Sequence, residues 1–253
     1  MPDWEQLLQV LAELLVVGYL AGIDWGQEVT FESEPVAQKG GKNPEVLVRS
    51  PEMTLAVEVK APALFSHQEV RSSNAEQVAS RFASQKELSN LLQDPKKVTY
   101  PRDNPVKDFL ASAQSKFEQF EQEPNFVSVL AIVWDDFVYE PISALLHPGS
   151  GLLTENSFYK DKDSRPITFS AVGAVIIIRQ LHQFVRACRE EQLADELRHP
   201  LQYDIGGGFP PKILVVNPFS EQATSDLYKI LKAEAPAPEL GAEYTPKELI
   251  WWI

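Results

Sequence analysis

The chain has 253 residues, of which 44% are hydrophobic, and a formal net charge of −13. This length and composition suit one large α/β domain and exclude extensive disorder. The acidic charge excludes a general nucleic-acid coat protein, because affinity for phosphates comes from clustered Lys and Arg. The single cysteine, Cys188, excludes an intrachain disulfide and a cysteine zinc cluster, so we expect a reducing, cytoplasmic location.

The first predicted element is a strongly apolar helix near the N-terminus. It has no basic residues before it and is interrupted by Glu5, Gln9 and Glu13. We therefore expect an amphipathic helix rather than a signal peptide or a membrane span, and no membrane partner. The three polar residues recur every fourth position, which predicts one polar stripe on an otherwise buried helix.

A strand near residues 28 to 34 comes next, followed by a β-hairpin. Its strands are residues 45 to 49 and 54 to 60, and residues 50 to 53 form the turn. In this register residue 46 faces residue 57, and Glu45 is opposite Glu58.

Residues 61 to 103 are polar and read as an inserted segment with one helix at about residues 75 to 92. Residues 60 to 116 carry nine basic and six acidic side chains, whereas the chain before and after them is net acidic. This region is the candidate surface for nucleic acid. Its basic side chains are expected either to line a phosphate groove or to form an ordinary charged surface: Arg71, Arg81, Lys86, Lys96, Lys97, Arg102 and Lys107.

An amphipathic helix follows, with Asn104 as a suitable N-cap and Pro105 as a suitable first residue. Three nearly continuous apolar runs then predict strands that are covered on both faces. These runs are residues 125 to 136, 170 to 180 and 212 to 218.

Predicted helices follow the last two runs, to about residue 197 and from about residue 221, so we expect parallel strands joined by crossovers. One domain is expected over residues 1 to 232. Residues 233 to 253 are then a connector and an aromatic tail. In that tail, Trp251 and Trp252 either contact a second copy or a protein partner, or fold back on the domain.

Glu45, Glu58 and Lys60 are expected on one face of the hairpin, since alternate residues of a strand point the same way. Carboxylates are the ligands that Mg²⁺ and Mn²⁺ prefer, and the carbonyl oxygen of Val59 is a further candidate ligand. A bound ion polarises a phosphoryl oxygen and lowers the pKa of a bound water. Lys60 can orient or deprotonate that water, or offset charge on the phosphate. The pattern predicts metal-dependent phosphodiester hydrolysis.

Pro44-Glu45 together with Glu58-Val59-Lys60 resembles the motif of the PD-(D/E)xK nuclease superfamily, which includes restriction endonucleases and many repair and defence nucleases. The resemblance implies a restriction-endonuclease-like core of helix, three-stranded meander, helix and strand, which residues 4 to 134 follow. It implies an α/β fold whose mixed central sheet is flanked by helices and extended by C-terminal β-α units. The first motif residue is usually Asp, and Glu45 stands in its place here.

The resemblance also implies supporting residues. Some members carry an acidic residue on the first helix, for which Glu13 is the candidate metal ligand, although a solvated helix face is the simpler interpretation. Others carry Gln or Lys on the helix after the motif. Gln114 borders the apolar stripe and is expected to point inward as a catalytic residue, whereas Lys116 is expected to be solvated.

Three interpretations remain open. The first is a nuclease that uses Mg²⁺ or Mn²⁺, with DNA as the expected substrate, in restriction, defence or repair. The second is a catalytically inactive, nuclease-like protein that binds a basic protein partner through its acidic surface, which the charge and Glu45 favour. The third is an unrelated α/β domain in which the hairpin is ordinary surface, which a structure with residues 45 and 58 far apart would establish.

Overall fold

The computed structural model describes residues 2–36, 42–73, 76–77, 81, 98–204 and 212–237. They form two compact units. The sheet unit comprises the described residues within Met1–Ala63, Asp108–Val138 and Phe169–Ala235. The second unit consists mainly of those within Leu64–Lys107 and Tyr139–Thr168. All residues of the predicted site belong to the sheet unit.

The strands of the described residues are β1 Thr30–Ser33, β2 Val46–Arg49, β3 Thr54–Lys60, β4 Glu76–Gln77, β5 Val98–Thr99, β6 Phe126–Trp134, β7 Ala174–Arg179 and β8 Lys212–Val216. The helices are α1 Pro2–Gly22, α2 Leu64–Ser73, α3 Val106–Phe117, α4 Tyr139–Leu146, α5 Leu181–Cys188 and α6 Leu227–Ile230. A 3₁₀ turn, Glu118–Phe120, continues α3.

Six strands form one mixed sheet in the order β1-β2-β3-β6-β7-β8. The first three are an antiparallel meander, β3, β6 and β7 are parallel, and β8 is antiparallel to β7. The predicted α/β fold with a mixed sheet is confirmed. The prediction that the last strand is parallel is wrong, because an apolar run indicates that both faces are covered and does not encode strand direction.

The β2–β3 hairpin has the predicted register. Val46 pairs with Val57 and Val48 with Leu55, and all four side chains are buried. Burial of each such side chain contributes about 1.5–3 kcal/mol, which fixes the register. Ser50 closes the turn, since its N–H donates to the carbonyl oxygen of Met53 over 2.9 Å and its Oγ accepts from the N–H of Met53 over 3.0 Å.

Helix α3 buries the predicted apolar stripe, although it begins at Val106, one residue later than expected. Two other helices are shorter than predicted. Helix α5 ends at Cys188 rather than near residue 197, because Glu190 adopts a left-handed conformation with φ of 57°. Helix α6 begins at Leu227 rather than near residue 221.

Helix α1 is amphipathic, but its polar stripe is not the exposed face. Gln9 and Glu13 are half-buried and form contacts within the sheet unit. The expectation of an otherwise buried helix is wrong, since three apolar side chains are 41 to 54% exposed: Leu7, Val10 and Leu14. By length and composition the segment Trp4–Gly22 also qualifies as a membrane span, a test that core helices of soluble proteins and signal sequences pass as well.

Two predicted features lie outside the described residues. Of the helix expected at residues 75 to 92, the structure describes only Glu76–Gln77, which form strand β4, and Arg81. The aromatic tail with Trp251 and Trp252 lies entirely outside them.

Candidate functional site

Glu58 is the centre of the candidate site. It is the third residue from the end of β3, and its side chain is fully buried. The neighbouring side chains on the strand, Val57 and Val59, are also fully buried. A carboxylate at such a position requires positive partners or strong hydrogen bonds.

Two lysines neutralise one oxygen of this carboxylate. Lys60 Nζ lies 2.5 Å and Lys116 Nζ lies 2.6 Å from Oε1 of Glu58. The second oxygen, Oε2, is buried and has no hydrogen-bond partner among the described residues. Buried polar atoms of this kind are rare in folded proteins and indicate strain, catalysis or a missing ion or water.

Glu45 immediately precedes β2, the strand that pairs with β3, and lies beside Glu58. Its side chain is 19% exposed, and its Oε1 lies 3.8 Å from Lys116 Nζ. Burial raises the pKa of Glu45 to about 7, with further raising contributions from the negative charges of Glu58 and Glu13. Lys116 and Lys60 lower the pKa of Glu45, but by less. Residues 45 and 58 therefore lie close together, so the separation that would have established the third interpretation is not observed.

Gln9 links helix α1 to the motif strand. Its Nε2 donates to Glu13 Oε1 over 2.7 Å and to the carbonyl oxygen of Val59 over 2.9 Å. Its Oε1 accepts from the N–H of Ala61 over 2.8 Å. Glu13 is thus held by Gln9 and contributes to the electrostatics of Glu45, while the Val59 carbonyl, a predicted metal ligand, accepts from Gln9.

The two candidates on α3 have exchanged roles. Lys116 was expected to be solvated, which is wrong, because its side chain is only 17% exposed and bonds to Glu58. Gln114 accepts from the N–H of Ala171 over 2.9 Å and donates to Glu118 over 2.7 Å. At about 100° per residue, the two side chains border opposite edges of the α3 apolar stripe. The sequence shows that both residues flank the apolar stripe, but it does not show which edge of the helix faces Glu58.

Gln9 was not predicted as a site residue. The available signal was the polar stripe on an apolar helix, because a polar side chain that recurs on such a helix often bonds to a buried partner. The stripe was assigned to the solvated face, and its connection to β3 depends on how the helix packs in three dimensions.

Two of the basic residues described in the second unit form ion pairs there. Arg81 donates from Nε and Nη2 to Oδ2 of Asp103, over 3.0 and 2.5 Å. Arg102 Nη1 lies 3.1 Å from Oε2 of Glu140. These guanidinium groups have structural partners, and three other residues of the predicted groove lie outside the described residues: Lys86, Lys96 and Lys97.

The donor set matches a hard cation in chemistry. The oxygens of Glu13, Glu45 and Glu58 are of the type that Mg²⁺ and Mn²⁺ prefer, and the free Glu58 Oε2 is available to a ligand. As arranged, no three His, Cys, Asp or Glu side chains of the described residues converge closely enough to hold a metal ion. The residue types and the free Oε2 of Glu58 therefore suit a divalent cation. Binding requires the carboxylate side chains to move closer together.

Comparisons with protein-family models, curated proteins and solved structures found no significant match. The function is therefore argued from the geometry of the site.

Proposed function

We propose that the protein is a metal-dependent nuclease whose sheet unit is a restriction-endonuclease-like core. The observation that carries the proposal is the buried Glu58 carboxylate, with one oxygen shared by Lys60 and Lys116 and the other free. A buried acid, a neighbouring acid of raised pKa and a lysine on the same strand are the groups that phosphodiester hydrolysis needs.

The arrangement of the sheet unit supports the proposal. Helix α1, the meander β1 to β3, helix α3 and strand β6 follow in the order of the superfamily core. The motif lies at the carboxyl end of β3, and β3 is parallel to β6. Sites in open α/β sheets favour this end of the strands.

Each side chain has a proposed role. Glu45, Glu58 and Glu13 would hold Mg²⁺ or Mn²⁺, and the ion would polarise a phosphoryl oxygen and lower the pKa of a coordinated water. Lys60 orients the attacking water or offsets charge on the phosphate. Gln114 bonds to Ala171 and Glu118, so we assign it no catalytic role. DNA is the substrate we propose.

The test is cleavage of supercoiled plasmid, linear duplex and single-stranded DNA with Mg²⁺, Mn²⁺ or chelator. We expect metal-dependent cutting that Lys60→Ala lowers by about 10²-fold or more, and that Glu58→Gln also removes. Lys42→Ala is the matched control, because Lys42 is exposed and bonds to Ser115 rather than to a carboxylate. Cutting that persists in chelator or in Lys60→Ala would overturn the proposal.

A second candidate is a non-catalytic protein that binds a basic partner. A cleft of about 830 Å³ in the sheet unit favours it, because its walls combine carboxylates with apolar side chains, among them Met53 and Phe126. Its acidic residues are Glu52, Glu121, Glu123, Glu221 and Asp226. Such a cleft complements a Lys- or Arg-containing segment of a protein.

A fluorescent oligolysine peptide tests this second function. Binding that weakens with salt and is reduced by Glu121→Gln/Glu221→Gln would support it. Glu28→Gln/Glu34→Gln removes the same charge from exposed positions that do not line the cleft and serves as the control. Equal binding by the two double variants would count against the cleft.

A further inference from the structure

The ammonium group of Lys116 lies between the two carboxylates that are proposed to hold the metal. Its Nζ is 2.6 Å from Oε1 of Glu58 and 3.8 Å from Oε1 of Glu45. Lys60 is different, because within the described part of the chain it forms an ion pair with Glu58 and not with Glu45. Lys116 is therefore the cation that bridges both acids.

A divalent ion bound to both carboxylates would lie within a few ångströms of this ammonium group. Two cations at a separation of a few ångströms repel each other strongly in a partly buried site. Binding of Mg²⁺ by Glu45 and Glu58 is therefore weakened unless the ammonium group withdraws.

Lys116 can withdraw without movement of its helix. It is the second-last residue of α3, and its neighbours on the apolar stripe, Ala113 and Phe117, are fully buried. The side chain itself is 17% exposed, and four rotatable bonds let the ammonium group move outward.

On the basis of the metal-dependent function proposed above, we propose that Lys116 is a built-in counter-ion that competes with the metal. Its ammonium group pairs with Glu58 and lies close to Glu45 in the metal-free protein, and it withdraws when a divalent ion binds. The lysine thereby lowers the affinity for metal and keeps the buried Glu58 carboxylate paired without an ion.

The first test is calorimetric titration of Mn²⁺ into Lys116→Met, Lys60→Met and Lys42→Met, three variants with the same change of charge. We expect Lys116→Met to bind Mn²⁺ about tenfold more tightly than wild type, Lys60→Met to gain less, and Lys42→Met to be unchanged. An affinity of Lys116→Met that equals or falls below that of wild type would overturn the proposal.

The second test uses the wild-type protein and does not depend on the folding of a variant. Lysines are acetylated briefly with acetic anhydride, with and without Mn²⁺, and quantified by mass spectrometry. Acetylation of Lys116 should rise when Mn²⁺ binds, while that of the exposed Lys42 should not change.

The outcomes distinguish this inference from the proposed function. Mn²⁺ binding without a rise in Lys116 acetylation would overturn the counter-ion and leave the nuclease proposal standing. Absence of Mn²⁺ binding to wild type and to Lys116→Met alike would overturn both. Mn²⁺ binding to Lys116→Met but not to wild type would support the proposal that Lys116 competes with the metal.

Discussion

The side-chain amide of Gln9 on α1 is hydrogen-bonded to the carbonyl oxygen of Val59 on β3 over 2.9 Å. The same amide accepts from the N–H of Ala61 over 2.8 Å. Gln9 thus binds both peptide groups that flank Lys60. The backbone position of the lysine is set by a residue about 50 positions earlier in the chain.

Replacement of Gln9 by Met should lower both stability and metal-dependent cleavage. The Val59 carbonyl and the Ala61 N–H each lose a partner, which costs about 1–3 kcal/mol in the free energy of unfolding by urea. A displaced Lys60 should lower kcat by up to about 10²-fold. Gln6→Met is the control, since Gln6 is exposed on the same helix. Equal kcat values for the two variants would contradict the positioning role.

The carboxyl group of Glu45 should titrate near neutrality in the metal-free protein. Its pKa is raised to about 7, first by burial and then by the charges of Glu58 and Glu13. The folded state therefore holds a proton that the unfolded state releases near its ordinary value of 4.5, so the free energy of unfolding falls as pH rises from 4.5 to 7.

Two measurements with chelator present check this titration. Carbon-13 NMR of the Glu45 carboxyl group should give a midpoint near 7. The loss of stability between pH 5 and pH 8 should be smaller in Glu45→Gln than in wild type, because Gln does not titrate. A midpoint close to 4.5 would show that Glu45 is solvated.

Gly173→Ala should destabilise the protein. A Cβ at this position would lie 2.4 Å from Oε1 of Gln222 and 3.0 Å from the carbonyl oxygen of Ser128. That Gln222 oxygen accepts from the N–H of Ser128 over 2.7 Å, so it cannot move without loss of the bond. We expect a cost of about 1–3 kcal/mol in the free energy of unfolding by urea.

The same substitution on α1 is the matched control for Gly173→Ala. Nothing lies within 4 Å of a Cβ built at Gly18, so Gly18→Ala should stabilise the helix by about 1 kcal/mol. Stabilisation of both variants would indicate that the contact between Gln222 and Gly173 is looser than described.

Arg81→Met should lower the stability of the second unit. Asp103 would be left buried without its guanidinium partner, at a cost of about 3–5 kcal/mol in urea unfolding. Arg81→Met/Asp103→Leu should recover most of this loss, and the exposed Arg71→Met should have little effect. A loss of DNA affinity in Arg81→Met at unchanged stability would instead assign Arg81 to a nucleic-acid surface.

The sequence predicted the hairpin register and the proximity of Glu45, Glu58 and Lys60, because strand pairing is local. Alternation along β3 and the turn at Ser50 fix which side chains are opposed, and the structure has that register. Two other features depend on packing between distant elements. Neither the direction of β8 nor the edge of α3 that faces Glu58 follows from the order of apolar residues.

The exposed apolar residues of α1 are another feature that the order of apolar residues does not predict. Leu14 and Glu13 are neighbours on one helix, and hydrophobicity alone assigns Leu14 to the interior. In the structure Leu14 is exposed and Glu13 is half-buried. Glu13 is held by Gln9, and the charges of the site favour polar neighbours. The electrostatics of a site can therefore override the usual partition of a helix.

The register of the hairpin has a consequence for how this chain can vary. Side chains alternate with a period of two, so a one-residue slip of β3 along β2 would place Val57 or Val59 where Glu58 now faces Glu45. It would also turn a carboxylate towards the valine face. An insertion that loops out between Ser50 and Met53 would leave this register unchanged. Variants of this protein that retain the site should therefore carry extra residues in the turn and not within β2 or β3.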